Sequence, residues 1–159
     1  MQKACFAAGC FWGVQFYFDQ VPGVTKTTVG YTGGNTKNPT YEQVCTHKTG
    51  HAEATLIEFD PEKVTYETLL RQFFRMHDPT QLNRQGPDVG DSYRSAVFYF
   101  NDIQKETAQK VKTELQKDYE KPIATEITEA TEFYEAEEYH QKFTQKNGYG
   151  FCHVAYQPI

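Results

Sequence analysis

Cys10 stands in Gly9-Cys10-Phe11-Trp12-Gly13, where a strand of small residues gives way to an aromatic-rich helix. A cysteine at the first turn of a helix faces backbone N–H groups without helical partners and the positive end of the helix dipole. Both favour thiolate, the nucleophilic form, over thiol. Phe11 and Trp12 beside it offer an aromatic wall for the part of a substrate that does not react, and Gly9 and Gly13 let backbone approach on either side. The same pentapeptide also reads as a buried cysteine in an aromatic core, because free cysteine packs as a small hydrophobe. Glu53, in Gly50-His51-Ala52-Glu53-Ala54, is the second reactive candidate. Glutamate is depleted in strands, and alanine neighbours leave its carboxyl room without supplying charge. Desolvation there raises a carboxyl pKa and suits it to general acid work near neutral pH; the alternative is an exposed edge-strand glutamate.

Tyr41, after Asn38-Pro39-Thr40, and Tyr93, closing Asp88-Val89-Gly90-Asp91-Ser92-Tyr93, are placed to present hydroxyls to a site. Plain loop packing is the other reading of both. Cys152 follows Asn147-Gly148-Tyr149-Gly150-Phe151, a pliable stretch that would let its thiol reach an oxidised partner and close a disulfide. An idle terminal thiol is the alternative. Cys45, His47, His51 and Glu53 cluster in sequence, but their spacing is not that of a zinc site and no second cysteine pair completes one, so no metal is expected. Cys5 falls inside the first strand and reads as core.

The chain that must position these groups has 159 residues, enough for one domain with a proper core, and we read residues 1–159 as a single catalytic domain. Its net charge of -5 is spread without a basic stripe, which argues against nucleic acid as a partner. No apolar run approaches the length of a membrane span. Ala7-Ala8-Gly9-Cys10 looks superficially like a signal cleavage site, yet the apolar segment such a signal requires is missing before it. We therefore expect a cytoplasmic protein with reduced thiols.

Strands are predicted over Lys3–Ala8, Val24–Tyr31, His51–Phe59, Arg94–Phe100 and Ala124–Ile127. Helices are predicted over Phe11–Gln20, Thr65–Met76, Asp102–Tyr119 and Ala136–Thr144. Tyr66, Leu69, Leu70, Phe73 and Phe74 trace one apolar face of the second helix. Asp78–Ser92 is a long loop whose only aliphatic side chains are Leu82 and Val89, and the stretch from Lys146 to Ile159 reads as irregular. Mixed strands and helices without strict alternation suggest an α+β sandwich with helices on a mostly antiparallel sheet.

Four segments in order resemble the A-type peptide methionine sulfoxide reductases: Gly9-Cys10-Phe11-Trp12-Gly13, Gly50-His51-Ala52-Glu53, Asp88 through Tyr93-Arg94-Ser95, and Ala136-Glu137-Glu138-Tyr139-His140-Gln141. The resemblance implies a ferredoxin-like two-layer sandwich and reduction of methionine-S-sulfoxide, free or in oxidised proteins. It makes Cys10 the attacking thiolate and Glu53 the acid, with Tyr41 and Tyr93 hydrogen-bonding the departing oxygen. Phe11 and Trp12 would hold the substrate methyl, and Asp88 would orient the bound methionine's backbone, although loop capping is its simpler physical reading. Cys152 would resolve the Cys10 sulfenic acid as a disulfide, with Cys45 the outside candidate. Thioredoxin would be the external reductant, with no bound cofactor, and the protein would act as a monomer. Asp91-Ser92 stands where many relatives have Thr-Gln, and no cysteine follows Cys152, so a relay through two late thiols is not expected. Two other readings are open: a cysteine hydrolase pairing Cys10 with His51 or His140, and a peptide-binding module built on the aromatics.

Overall fold

In the computed structural model, which describes residues 1–143 and Lys146, the sheet is assembled from β1 (Gln2–Ala8), β2 (Val24–Thr32), β3 (Ala52–Phe59), β6 (Ser95–Tyr99), β7 (Glu126–Glu129) and β8 (Tyr134–Glu135), in the order β7-β6-β1-β3-β2-β8. A separate two-stranded ribbon is formed by β4 (Arg84–Gln85) and β5 (Asp88–Val89). The helices are α1 (Phe11–Asp19), α2 (Tyr41–Cys45), α3 (Tyr66–Arg75) and α4 (Asp102–Gln116). Every pairing in the large sheet is antiparallel except β6 with β7, which run parallel because α4 returns the chain between them.

The two-residue period of the strands sorts the core into two layers. Ala4, Phe6 and Ala8 of β1 join Ile57 and Phe59 of β3 in the cluster that α1, α3 and α4 cover. Cys5 and Ala7 point the other way, with Ala52, Ala54, Ala96 and Phe98. Glu53 shares the parity of Ile57 and Phe59, so the strand period alone turns its carboxyl toward the helix layer. In α3, Leu69, Leu70, Phe73 and Phe74 are buried as the apolar spacing predicts, and Phe73 stacks on Phe6 with ring centroids 5.0 Å apart. The α+β reading therefore holds.

Several local expectations do not. Where a helix is predicted over Ala136–Thr144, the described residues that follow β8 form a 3₁₀ turn at Glu138–His140. Its side chains are drawn into tertiary contacts: Gln141 pairs its amide with both Val29 N and Val29 O, at 3.1 and 2.9 Å, continuing the edge of β2 where β8 stops. The final strand lies at Glu126–Glu129 rather than Ala124–Ile127. The loop Asp78–Ser92 is folded, carrying the β4–β5 ribbon and running into a 3₁₀ turn at Asp91–Tyr93. Residues 147–159, including Cys152, lie outside the described residues.

Candidate active site

The turn from β1 into α1 sets the geometry. Gly9 adopts φ +90°, a left-handed backbone that only glycine takes without strain, and this reverses the chain so that Cys10 becomes the N-cap residue of α1. Cys10 makes no side-chain capping hydrogen bond, and its residue is 9% exposed. Its thiol thus sits beside the amide end of α1, where a negative charge is favoured.

The first amide of that helix is aimed at the second candidate. Phe11 N–H donates to Glu53 Oε1 at 3.3 Å, from the start of α1 to β3, and Glu53 is only 2% exposed. The edge-strand alternative is thereby overturned: Glu53 lies on a central strand, opposite Tyr31 of β2. The Cys10 thiol and the Glu53 carboxyl flank one helix terminus.

Tyr41 and Tyr93 come from two separate segments, the start of α2 and the 3₁₀ turn at Asp91–Tyr93. Thr40 caps α2 through a reciprocal box, its hydroxyl accepting from Gln43 N at 3.2 Å while Gln43 Oε1 accepts from Thr40 N at 3.0 Å. This places Tyr41 at the first helical position. Burial, then the Glu53 charge, then a hydrogen bond with Cys45 push the Tyr41 hydroxyl above the ordinary phenol range. Burial likewise raises Tyr93, followed by the charges of Glu53, Cys45, Asp88 and Cys10. Both phenols therefore feel Glu53 and keep the proton a hydrogen-bond donor needs. Asp88 lies in β5, paired with Gln85, at the start of the loop that ends in Tyr93.

The aromatic wall is held by the segment around His140, which the sequence offers as a helix and, in the hydrolase reading, as the source of a base. Trp12 Nε1–H donates to His140 Nδ1 at 2.9 Å, and its ring stacks on Phe143 at 3.8 Å. His140, fully buried, also packs on Phe11 at 5.3 Å and Tyr41 at 4.4 Å. Burial lowers its pKa below 6.5 despite the opposing charge of Glu137, which keeps the ring neutral and Nδ1 an acceptor. Glu137 ties the segment down, accepting from Tyr31 Oη–H at 2.9 Å and from Tyr41 N–H at 3.0 Å. No periodicity marks Glu137 or His140 as functional; a paired acid and histidine beside aromatics was the available signal.

Other predicted groups fall outside this constellation. His51, buried, accepts from Gly34 N–H through Nδ1 at 3.1 Å and reaches Thr36 O through Nε2 at 2.6 Å, so neither nitrogen is spare to act as the base a hydrolase needs. Cys5 is core, its thiol pushed up to about 12 by burial. Cys45 is exposed at the end of α2.

A thiol and a carboxyl sharing a helix end, facing two phenols under an aromatic wall, fit the four resembling segments, and the comparison with known proteins agrees. The family model for peptide methionine sulfoxide reductase matches residues 2–159. The chain belongs to the peptide methionine sulfoxide reductase family. It is 55% identical over 151 residues to the peptide methionine sulfoxide reductase MsrA of Methanosarcina mazei, covering 94% of this chain and 72% of that one. Among solved structures it is similar to reduced Mxr1 from Saccharomyces cerevisiae, with TM-score 0.89 and 35% identity over 99% of this chain and 92% of that one. Mxr1 in complex with Trx2 also matches, with TM-score 0.65 and 27% identity, covering 89% and 84%. The reductase reading thus displaces both the hydrolase and the binding module, and the enzyme reduces methionine sulfoxide.

Proposed function

We propose that the reductase acts on the S epimer of methionine sulfoxide, with Cys10 as nucleophile and Glu53 as acid. The observation that carries this reading is the Phe11 N–H to Glu53 hydrogen bond, which sets the carboxyl beside the helix end that Cys10 caps. The Cys10 thiolate attacks the sulfoxide sulfur. As the S–O bond transfers its oxygen to Cys10 Sγ, Glu53 supplies the proton that neutralises the developing oxyanion, and Tyr41 and Tyr93 donate hydrogen bonds to it. Methionine leaves and Cys10 is a sulfenic acid. Phe11 and the pinned Trp12 hold the substrate methyl, and Asp88 orients the methionine backbone.

The Cys152 thiol then attacks the sulfenic sulfur, releasing water and closing a Cys10–Cys152 disulfide. A thioredoxin dithiol reduces that disulfide, a step supported by the complex of the related Mxr1 with Trx2. Cys152 is assigned by resemblance. Cys45 remains its rival because its thiol lies within hydrogen-bonding reach of Tyr41, at the rim of the same site.

A single-turnover assay on reduced protein, with separated S and R epimers of a methionine sulfoxide peptide, tests the reading. The expected result is methionine from S alone, with two thiols lost per methionine. Cys10→Ser should form none, and Cys152→Ser should form one equivalent and then stall with thioredoxin. Normal turnover by Cys152→Ser would transfer the resolving role elsewhere, and methionine from Cys10→Ser would refute the nucleophile.

A further inference from the structure

Helix α2 ends in a backbone conformation that suits glycine, and this chain places His47 there. Thr46 closes the helix, and His47 N–H donates back to Val44 O at 3.0 Å with φ at +60°. The first residue beyond a helix in this left-handed region is the usual seat of glycine, so a histidine there is held by what its side chain does.

One side of the ring, which is 37% exposed, lies against four successive residues of the loop that carries Tyr93. Its Nδ1 lies 3.5 Å from Asp91 Oδ1 and 3.4 Å from Ser92 Oγ, and its edge meets the Tyr93 ring at a centroid distance of 6.3 Å. Gly90, at φ +135°, passes so close beneath that a Cβ built on it would stand 2.2 Å from His47 Cε1. Asp91 Oδ1 is itself buried and makes no hydrogen bond, and the imidazole nitrogen of His47 faces it from 3.5 Å. A five-residue helix is too short to hold its own orientation, which is set instead by what grips its two ends. At the first end Glu137 holds Tyr41 N–H; at the last, His47 grips residues 90–93.

We infer that His47 is a positioning residue for sulfoxide reduction, acting through Asp91 and Ser92 to hold the Tyr93 hydroxyl in register with that of Tyr41. This rests on the reading that both hydroxyls serve the departing oxygen. The clamp ties the helix presenting one phenol to the loop presenting the other, at Asp91 and Ser92.

His47→Gly is the informative variant because it removes the ring while giving the backbone its preferred residue. Its melting temperature should equal or exceed that of the parent. Its single-turnover rate at saturating S-sulfoxide peptide should nevertheless fall roughly tenfold, since small misplacements of a positioned group are costly, with little change in the half-saturating concentration. Asp91→Ala should lose a similar factor, and the double variant should be no slower than either single one. Tyr93→Phe is run beside them. Parental rates for His47→Gly or Asp91→Ala, or losses that multiply in the double variant, overturn the clamp while Tyr93→Phe is slow. A parental rate for Tyr93→Phe overturns the role of Tyr93 itself, a separate failure.

Discussion

Glu137 ties Tyr31 and Tyr41 together beside the site, and replacing its charge should be measurable in stability. Its carboxylate accepts from a hydroxyl that is fully buried, that of Tyr31, and from the amide of Tyr41 at the start of α2. Hydrogen bonds to a charged acceptor contribute about 1.5–3 kcal/mol each, against about 0.5–1.5 kcal/mol for neutral ones. In Glu137→Gln the best arrangement turns the amide oxygen to Tyr41 N–H and its NH₂ to Tyr31 Oη, so both contacts survive as neutral bonds and the phenol proton loses its acceptor. The net loss is about 2 kcal/mol at neutral pH, or about 4–8 °C in melting temperature for a chain of this size.

Acid supplies the control. Burial opposes ionisation of Glu137, but the Tyr41 amide, its own amide, the Tyr31 hydroxyl and nearby His140 together hold its pKa below the ordinary 4.5. A carboxyl whose folded-state pKa is depressed adds stability that is fully present above its unfolded value and is lost as pH falls through the folded one. Thermal unfolding of both proteins from pH 7 down to pH 3 should therefore show a gap that is constant down to about pH 5 and narrows below 4.5. A gap independent of pH, or none at pH 7, would refute the reasoning.

Glu53→Gln should slow the first reduction step by about 10²–10⁴-fold without abolishing substrate binding, measured as methionine formed in a single turnover; an unchanged rate removes Glu53 from the acid role. Thiol labelling of the native protein should modify exposed Cys45 readily and leave Cys5 untouched until the chain unfolds, because burial holds the Cys5 thiol up near 12. Mass mapping after brief alkylation reads both, and early modification of Cys5 would show that β1 opens. Phe73→Ala, which empties a fully buried position between Phe6, Phe74 and His77, should cost about 3–5 kcal/mol in denaturant unfolding.

How much of this was legible in the sequence depends on how local each signal is. The β1–α1 junction and the apolar face of α3 were readable because strand and helix periods are properties of neighbouring residues. Helix α2 is too short for a period, yet its capping box, Thr40 with Gln43, was in plain view and went unread. The helix expected from Ala136 fails for the opposite reason. Its glutamates suit a helix, but Glu137, His140 and Gln141 gain more from Tyr41, Trp12 and Val29, partners some hundred residues away that no local window contains. Glu53 is legible from chemistry while propensity points elsewhere: a glutamate on a strand suggests an edge, whereas this one lies on a central strand and accepts an amide from another element.

That amide also explains why one helix terminus can serve both partners of the proposed reaction. Before attack the negative charge sits on Cys10 Sγ, the cap of α1. After proton transfer it sits on Glu53, whose Oε1 already accepts the first amide of the same helix. The dipole end thus stabilises reactant and product charge alike and by itself lowers no barrier, because only interactions stronger in the transition state accelerate a step. In the proposed reaction acceleration comes from groups that meet charge where it is transient, on the sulfoxide oxygen: the proton of Glu53 and the phenols of Tyr41 and Tyr93, which burial keeps protonated. On that reading the helix end favours charge on Cys10 and on Glu53 in turn, while the proton of Glu53 and the two phenols set how fast the sulfoxide reacts.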